Sequence, residues 1–266
     1  MKKIVFAGSF IFSSILAVAQ QTQGKVTYQR VTNLEARFNI NGVEQVVPQT
    51  RKENFELHFA NNQSLWKATE QEQEDEGPGG DHGGVQIRMV VAGANDVMFC
   101  NFDNKTKVEK RELFDKTFIV DDSIRPLKWK MTGETKTILN HKCMKATATN
   151  IRQVTRMTMD DGKMERKEVS DTSNITVWFT SEVPVMAGPG EFQGQLPGLI
   201  LEVDVNNGKQ TYQAVELTEK ADLSEIKEPS GKKHLTPEEF KKEREKLMKE
   251  MEENMPGGGG RRIRMN

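Results

Sequence analysis

Side chains with the right chemistry for catalysis or metal binding are few in this chain, and their spacing decides what they can do. Ser64-Leu65-Trp66-Lys67 matches S-x-x-K, in which a lysine activates a serine for acylation. That motif works at a helix start beside S-D-N and K-T-G elements. Here it follows Asn61-Asn62 in an extended-looking run, and neither companion occurs, so Trp66 reads as core and the match as chance. The four histidines, His58, His82, His141 and His234, show neither H-E-x-x-H nor H-x-H spacing, and no G-x-S-x-G elbow is present. Asp121 and Asp122, with the Gly188-Pro189-Gly190 loop, are the residues around which an unfamiliar hydrolytic site could be built. Carboxylates and His82 crowd the glycine-rich stretch from Gln71 to Gly84, but the spacing fits neither a calcium loop nor a zinc site. A solvated insertion is expected there. Metal handling through Met and His is a third chemistry to weigh. No cofactor motif is found.

Cys100 and Cys143 are the only cysteines. In an oxidising compartment an even count suggests a disulfide, here closing a loop of about 43 residues worth roughly 4 kcal/mol; two buried free thiols are the alternative.

The elements that must position these groups read as strands joined by tight turns. Asn61-Asn62, Asp103-Asn104, Asn140-His141, Asp161-Gly162 and Asn207-Gly208 supply residues that tolerate the positive φ of hairpin turns. Between them apolar residues alternate: Phe55, Leu57, Phe59; Val85, Ile87, Met89; Leu127, Trp129, Met131; Ile175, Val177, Phe179; Leu199, Leu201, Val203, Val205. The fold expected is mainly β, a single antiparallel meander, with one C-terminal helix. A sheet with one apolar face must curl on itself or carry a helix across it. The helix is announced by Thr236, Pro237 and Glu239, a capping box with proline at the first helical position, and runs to Met255. Its apolar stripe of Phe240, Leu247, Met248, Met251 and Met255 is narrow, so it should dock loosely or not at all.

Two further turns, Gly188-Pro189-Gly190 and Leu196-Pro197-Gly198, flank the segment before Leu199, and the second has proline then glycine as a type II turn requires. Together with Trp178-Phe179-Thr180, Val183-Pro184-Val185, Phe192 and the stretch ILNHKCMKA from Ile138 to Ala146, this pattern resembles the GLPGLI family of exported bacterial envelope proteins. Gln195, Leu196, Pro197, Gly198, Leu199 and Ile200 stand where the family has its hexapeptide, with Gln195 replacing the first glycine, and Asn140-His141 stand where Gly-Tyr is usual. The resemblance implies a single strongly curved antiparallel sheet, a half-barrel similar to lipoprotein carriers. It implies no activity, substrate or catalytic residue.

Export is also expected from the opening residues: Lys2 and Lys3, an apolar run from Ile4 to Leu16, then Ala17-Val18-Ala19 before Gln20. The apolar run is too short to span a bilayer, which needs ~20 residues. The organisation expected is a signal peptide at 1–19, a β domain at 20–220, a linker at 221–235, a charged helix at 236–255 and a Gly/Arg tail at 256–266. Removing the signal leaves 36 Lys and Arg against 39 Asp and Glu, about −3, with both signs interspersed. No basic stripe suits nucleic acid. The function expected is therefore non-enzymatic: a periplasmic or cell-surface protein binding a hydrophobic ligand or an outer-membrane or envelope protein. Ile200 is the odd residue, since strict alternation puts it on the face of Glu202 and Asp204. Either a helix or loop covers it or it belongs to an exposed apolar patch kept for a partner.

Overall fold

The computed structural model describes residues 21–40, 43–69, 96–113, 116–160 and 163–254. The expected signal peptide, the acidic insertion with His82, the Val85–Met89 alternation, the Asp161-Gly162 turn, Met255 and the Gly/Arg tail lie outside them. Twelve strands follow in chain order: β1 (Gly24–Ile40), β2 (Val43–Ala60), β3 (Gln63–Ala68), β4 (Val97–Asn101), β5 (Thr106–Leu113), β6 (Lys116–Ser123), β7 (Lys130–Ile138), β8 (His141–Asp160), β9 (Lys163–Thr180), β10 (Leu199–Val205), β11 (Gln210–Thr218) and β12 (His234–Leu235). One helix, α1 (Pro237–Asn254), closes the described chain. The strands form one sheet in the order β12-β6-β5-β4-β3-β2-β1-β11-β10-β9-β8-β7. All pairings are antiparallel except β12 with β6. The protein is thus mainly β, as the alternation implies.

Local turn chemistry sets the meander. Asn61 and Asn62 both hold positive φ (51° and 55°), as do Asn206 and Asn207 (54° and 53°), so each pair makes a tight hairpin that branched residues would strain. At the β7–β8 turn the positive φ falls on Leu139 and Asn140 rather than on Asn140-His141, and at the β4–β5 turn it falls on Lys105. Asp160 pairs with Lys163, which sets a two-residue connection between β8 and β9.

The concave face carries the core. Val26 and Tyr28, Phe55, Leu57 and Phe59, Trp66, Ile175, Val177 and Phe179, and Leu199, Leu201 and Val203 are all buried in one cluster. Among the described residues no helix covers them. The loop from 181 to 198 does, turning Val183, Val185, Ala187, Phe192 and Leu196 into the same cluster. Alternation predicts Ile200 on the opposite face, yet it is 1% exposed. The cause is a β-bulge: Ile200 faces Phe179 and Glu202 faces Trp178, so Leu201 is an extra residue and the alternation slips. The covering loop then seals it, with the Ile200 amide donating to the Ala187 carbonyl at 3.0 Å and the Tyr28 hydroxyl donating to the Ile200 carbonyl at 2.5 Å.

Several expectations need correction. Leu127 and Trp129 lie in an irregular segment, because Pro126 has no N–H for a ladder, and Met131 in β7 is 50% exposed. The polar stretch 221–235 is no free linker. It contains β12, and Glu225 pairs with Lys67 on β3 while the Ile119 amide donates to the Lys233 carbonyl at 3.0 Å. The helix begins with its capping box formed: the Thr236 amide donates to the Glu239 carboxylate at 2.8 Å and the Glu239 amide to the Thr236 hydroxyl at 3.3 Å. It docks rather than floats, through Leu247 and Phe240 on Leu113 and Phe118, in a cluster separate from the main core. The Phe118 and Phe240 rings stand 5.7 Å apart at 66°.

Gly198 is not the positive-φ centre of a type II turn, since it is missing from the residues with positive φ. Its amide instead donates two residues back to the Leu196 carbonyl at 2.9 Å, a three-residue turn around Pro197, whose ring suits that geometry. Glycine is needed there for space: a Cβ would stand 2.2 Å from the Thr180 carbonyl oxygen. Gly198→Ala should therefore lower stability by about 2 kcal/mol or more in thermal melts. Gly133→Ala is the control. It meets open space, so only its φ of +82° opposes the substitution and the loss should stay near ~1 kcal/mol.

Candidate functional site

A cavity of about 250 Å³ opens where the sheet curls back toward itself. Its walls come from β4 (Met98, Cys100), β5 and β6 with the residues after it (Lys107, Asp122 to Arg125, Leu127), and β8 (Asn150, Arg152). In sheet order β5 and β8 are separated by β4, β3, β2, β1, β11, β10 and β9, so their shared cavity is a direct measure of the curvature. The floor is the covering loop, from Gly190 through Phe192 to Gln193 and Gln195.

Loop geometry places the floor. Gly190 and Gly194 bracket a 3-10 turn (Gly190–Phe192) with positive φ of 53° and 71°. A Cβ on Gly194 would stand 2.5 Å from the Ile124 side chain, so glycine lets the loop meet the segment after β6. Gln195 fastens that segment. Its Oε1 accepts from the Leu127 amide at 2.9 Å and from the Trp129 indole at 3.3 Å. A glycine at 195 has no side chain to do this. The Ser64 hydroxyl donates to Gln193 Oε1, whose Nε2 in turn donates to the Met98 sulfur at 3.4 Å.

Charge at the cavity comes in opposed pairs. Asp122 accepts from Arg125 at 3.2 Å and lies 3.3 Å from Lys107 Nζ, which also pairs with Glu109 at 2.8 Å. Across the opening, Arg152 Nη2 donates to Glu191 at 2.7 Å. Burial alone would raise the Glu109 carboxyl, but Arg111 and Lys107 outweigh it and hold it below its ordinary value.

Sequence candidates distribute unevenly over this geometry. Asp122 and the Gly188-Pro189-Gly190 loop do meet at one cavity, whereas Asp121, one residue earlier on β6, turns away to His234 at 2.8 Å. Ser64 and Lys67, three apart on a strand, face opposite sides of the sheet. Ser64 is fully buried against Gln193 and Lys67 binds Glu225. Cys100 and Cys143 are buried free thiols on β4 and β8, and burial pushes them up to about 12 and about 11. Neither is a nucleophile at neutral pH. His58 is buried on the convex face of β2, its Nε2 3.3 Å from Glu56. Among the described residues no group of three His, Cys, Asp or Glu side chains is arranged to hold a metal ion, and no helix is long and apolar enough to cross a membrane. Of the hexapeptide, Leu196, Gly198, Leu199 and Ile200 are buried; Gln195 alone lines the cavity. Sequence reasoning missed Arg152, Glu191 and Gln193, because nothing local marks a polar residue whose partner lies on a distant strand.

A family model described as "Protein of unknown function (Porph_ging)" matches residues 129–202, from the entry to β7 through the covering loop into β10. No curated protein matches the chain. Among solved structures, "Structure of PNGF-II in C2 space group" is similar at a TM-score of 0.50 and 16% identity, over 84% of this chain and 33% of that one. "Structure of PNGF-II in P21 space group" gives the same score and identity over 83% and 32%. The chain thus spans about a third of the length of the structures it matches, and at this identity the likeness concerns the fold.

Glu109 links the cavity to acid stability. With its folded carboxyl held below the ordinary 4.5, its contribution is complete above that pH and disappears as pH falls through the lower folded value. Glu109→Gln should cost about 3 kcal/mol at neutral pH by leaving Lys107 and Arg111 underpaired, and should flatten the fall in melting temperature below pH 4.5. An unchanged acid slope in the variant would contradict this assignment.

Proposed function

We propose that this is an exported, GLPGLI-type envelope protein that binds a small polar ligand in the cavity between the covering loop and the two ends of the curled sheet. The observation that carries the reading is the cavity lining: opposed ion pairs, the amides of Gln193, Gln195 and Asn150, and a modest apolar contribution from Phe192, Leu127, Ile124 and Met98. The family part of the proposal is supported by the matched span 129–202, which contains the segments from Ile138 to Ala146 and from Trp178 to Ile200. Export rests on the first nineteen residues.

A polar ligand is favoured over the acyl chain expected of a lipid carrier. The cavity holds about 250 Å³, below the ~300 Å³ at which drug-sized ligand pockets begin, and the concave face is already filled. Trp66 stacks on Phe55 at 4.8 Å and meets Tyr28 at 5.5 Å, while Phe192 meets Tyr212 at 6.1 Å. Binding is favoured over hydrolysis because Asp122 is committed to Lys107 and Arg125, and Ser64 to Gln193.

Thermal melts of the mature protein with amino acids, sugars, inorganic phosphate and a twelve-carbon fatty acid test the ligand. A polar probe at ~100-fold its Kd should stabilise by about 2.7 kcal/mol, and Asn150→Trp, which fills the rim, should abolish the shift. Stabilisation by the fatty acid alone, or by no probe, overturns the proposal. N-terminal sequencing of protein recovered from the producing cells should begin at Gln20.

A further inference from the structure

We propose that the cavity's occupant is a small zwitterion, a free amino acid or a very short peptide, held with its carboxylate on Arg152 and its ammonium on Glu191. This rests on the polar-ligand reading above and narrows it to one chemical class.

Charge balance is the first argument. The lining contains Lys107, Arg125 and Arg152 against Asp122 and Glu191, and Lys107 also holds Glu109 just behind the wall. Behind the wall Glu109 is shared with Arg111, so every charged side chain of the lining is already paired with one of opposite sign. A ligand with only negative charge must displace Asp122 or Glu191 from its arginine. One with only positive charge must displace an arginine from its carboxylate. A zwitterion opens one pair but leaves neither of its charges unmatched, because it inserts head to tail between them and completes a ring of four alternating charges.

The Arg152–Glu191 pair is built for such an insertion. It joins β8 to the covering loop by one bond, Nη2 to Oε1 at 2.7 Å, and both side chains are about half exposed (49% and 47%). An exposed pair of this kind contributes little to folding, so opening it costs little. Asp122 differs: its side chain is 17% exposed and it is held by Lys107, Arg125 and the Ser123 amide. It forms a fixed wall.

Depth supplies an independent argument. Gln193 lies on the cavity floor with 2% exposure, and its Nε2 donates to a thioether sulfur, a weak acceptor. A buried amide so weakly paired favours a ligand oxygen as a better acceptor. The volume equals roughly eight waters at ~30 Å³ each, which suits one amino acid or little more.

Calorimetric titration of the mature protein with L-leucine and glycyl-leucine, each beside its N-acetyl and C-amide forms, and with glucose as a neutral polar probe, tests this. The zwitterions should bind, and losing either charge should weaken binding at least tenfold. Arg152→Gln should weaken the free amino acid yet leave the amide's affinity unchanged; Glu191→Gln should do the converse with the N-acetyl form. Both residues are exposed, so the variants should fold, which their melting temperatures check. Equal binding of charged and blocked forms, or unchanged zwitterion affinity in Arg152→Gln, refutes the inference. Glucose binding without zwitterion binding refutes it while leaving the polar-ligand proposal standing. No binding by any of these probes removes the inference together with its parent reading for the classes tested.

Discussion

A curled sheet leaves its concave face to be covered, and everything distinctive in this structure follows from the choice to cover it with a loop. Residues 181 to 198 supply Val183, Val185, Ala187, Phe192 and Leu196 to the core, at the place where a helix would lie in many other sheets. A loop can cover apolar surface only if its own polar backbone is satisfied. Here that is done by short internal turns around Pro184 and Pro197, at 2.8 and 2.9 Å, and by amides of β10 that reach back to Val183 and Ala187. The dense prolines and glycines of this segment are the chemistry of a buried irregular chain. Their role is structural first, and the cavity exists because the loop stops short of filling the curl.

That division explains why polar and apolar contents separate so sharply inside one curved sheet. The aromatic cluster of Tyr28, Phe55, Trp66, Phe192 and Tyr212 fills the space beneath the loop. What remains open lies beyond Phe192, where the sheet ends converge and charged side chains reach water. Phe192 belongs to both environments, one side on Tyr212 and the other on the cavity, so the packing of the core and the shape of the site are set by the same residue.

Much of the fold was legible in the sequence because its determinants are local. Asn61-Asn62 and Asn207-Gly208 tolerate positive φ and adopt it, though the second turn also takes in Asn206, and Thr236 with Glu239 makes a capping box from four consecutive positions. For Ile200 the sequence left open the cover that the loop provides, but the bulge beside it was not legible, since no side chain announces an inserted residue. Nor was the docking of 221–235, whose polar composition matches a linker but whose contacts with Lys67 and Ile119 are made across the fold. The site was half visible. Asp122 and the Gly188-Pro189-Gly190 loop were named from composition alone, whereas Arg152 and Glu191 acquire meaning only when β8 bends over the loop.

An open sheet of twelve strands has two free ends, and each is an invitation to polymerise by simple addition of another molecule's strand. The two ends of this one are treated differently. At β6 the chain spends its own two-residue β12, laid parallel, and sets α1 against Leu113 and Phe118. At β7 it interrupts the ladder between Met131 and Thr135, with Gly133 at a φ of +82° and Lys130 and Lys136 along the rim. The first device occupies the growth point and the second deforms it. A molecule built this way can crowd at high local concentration without seeding fibres from its edges.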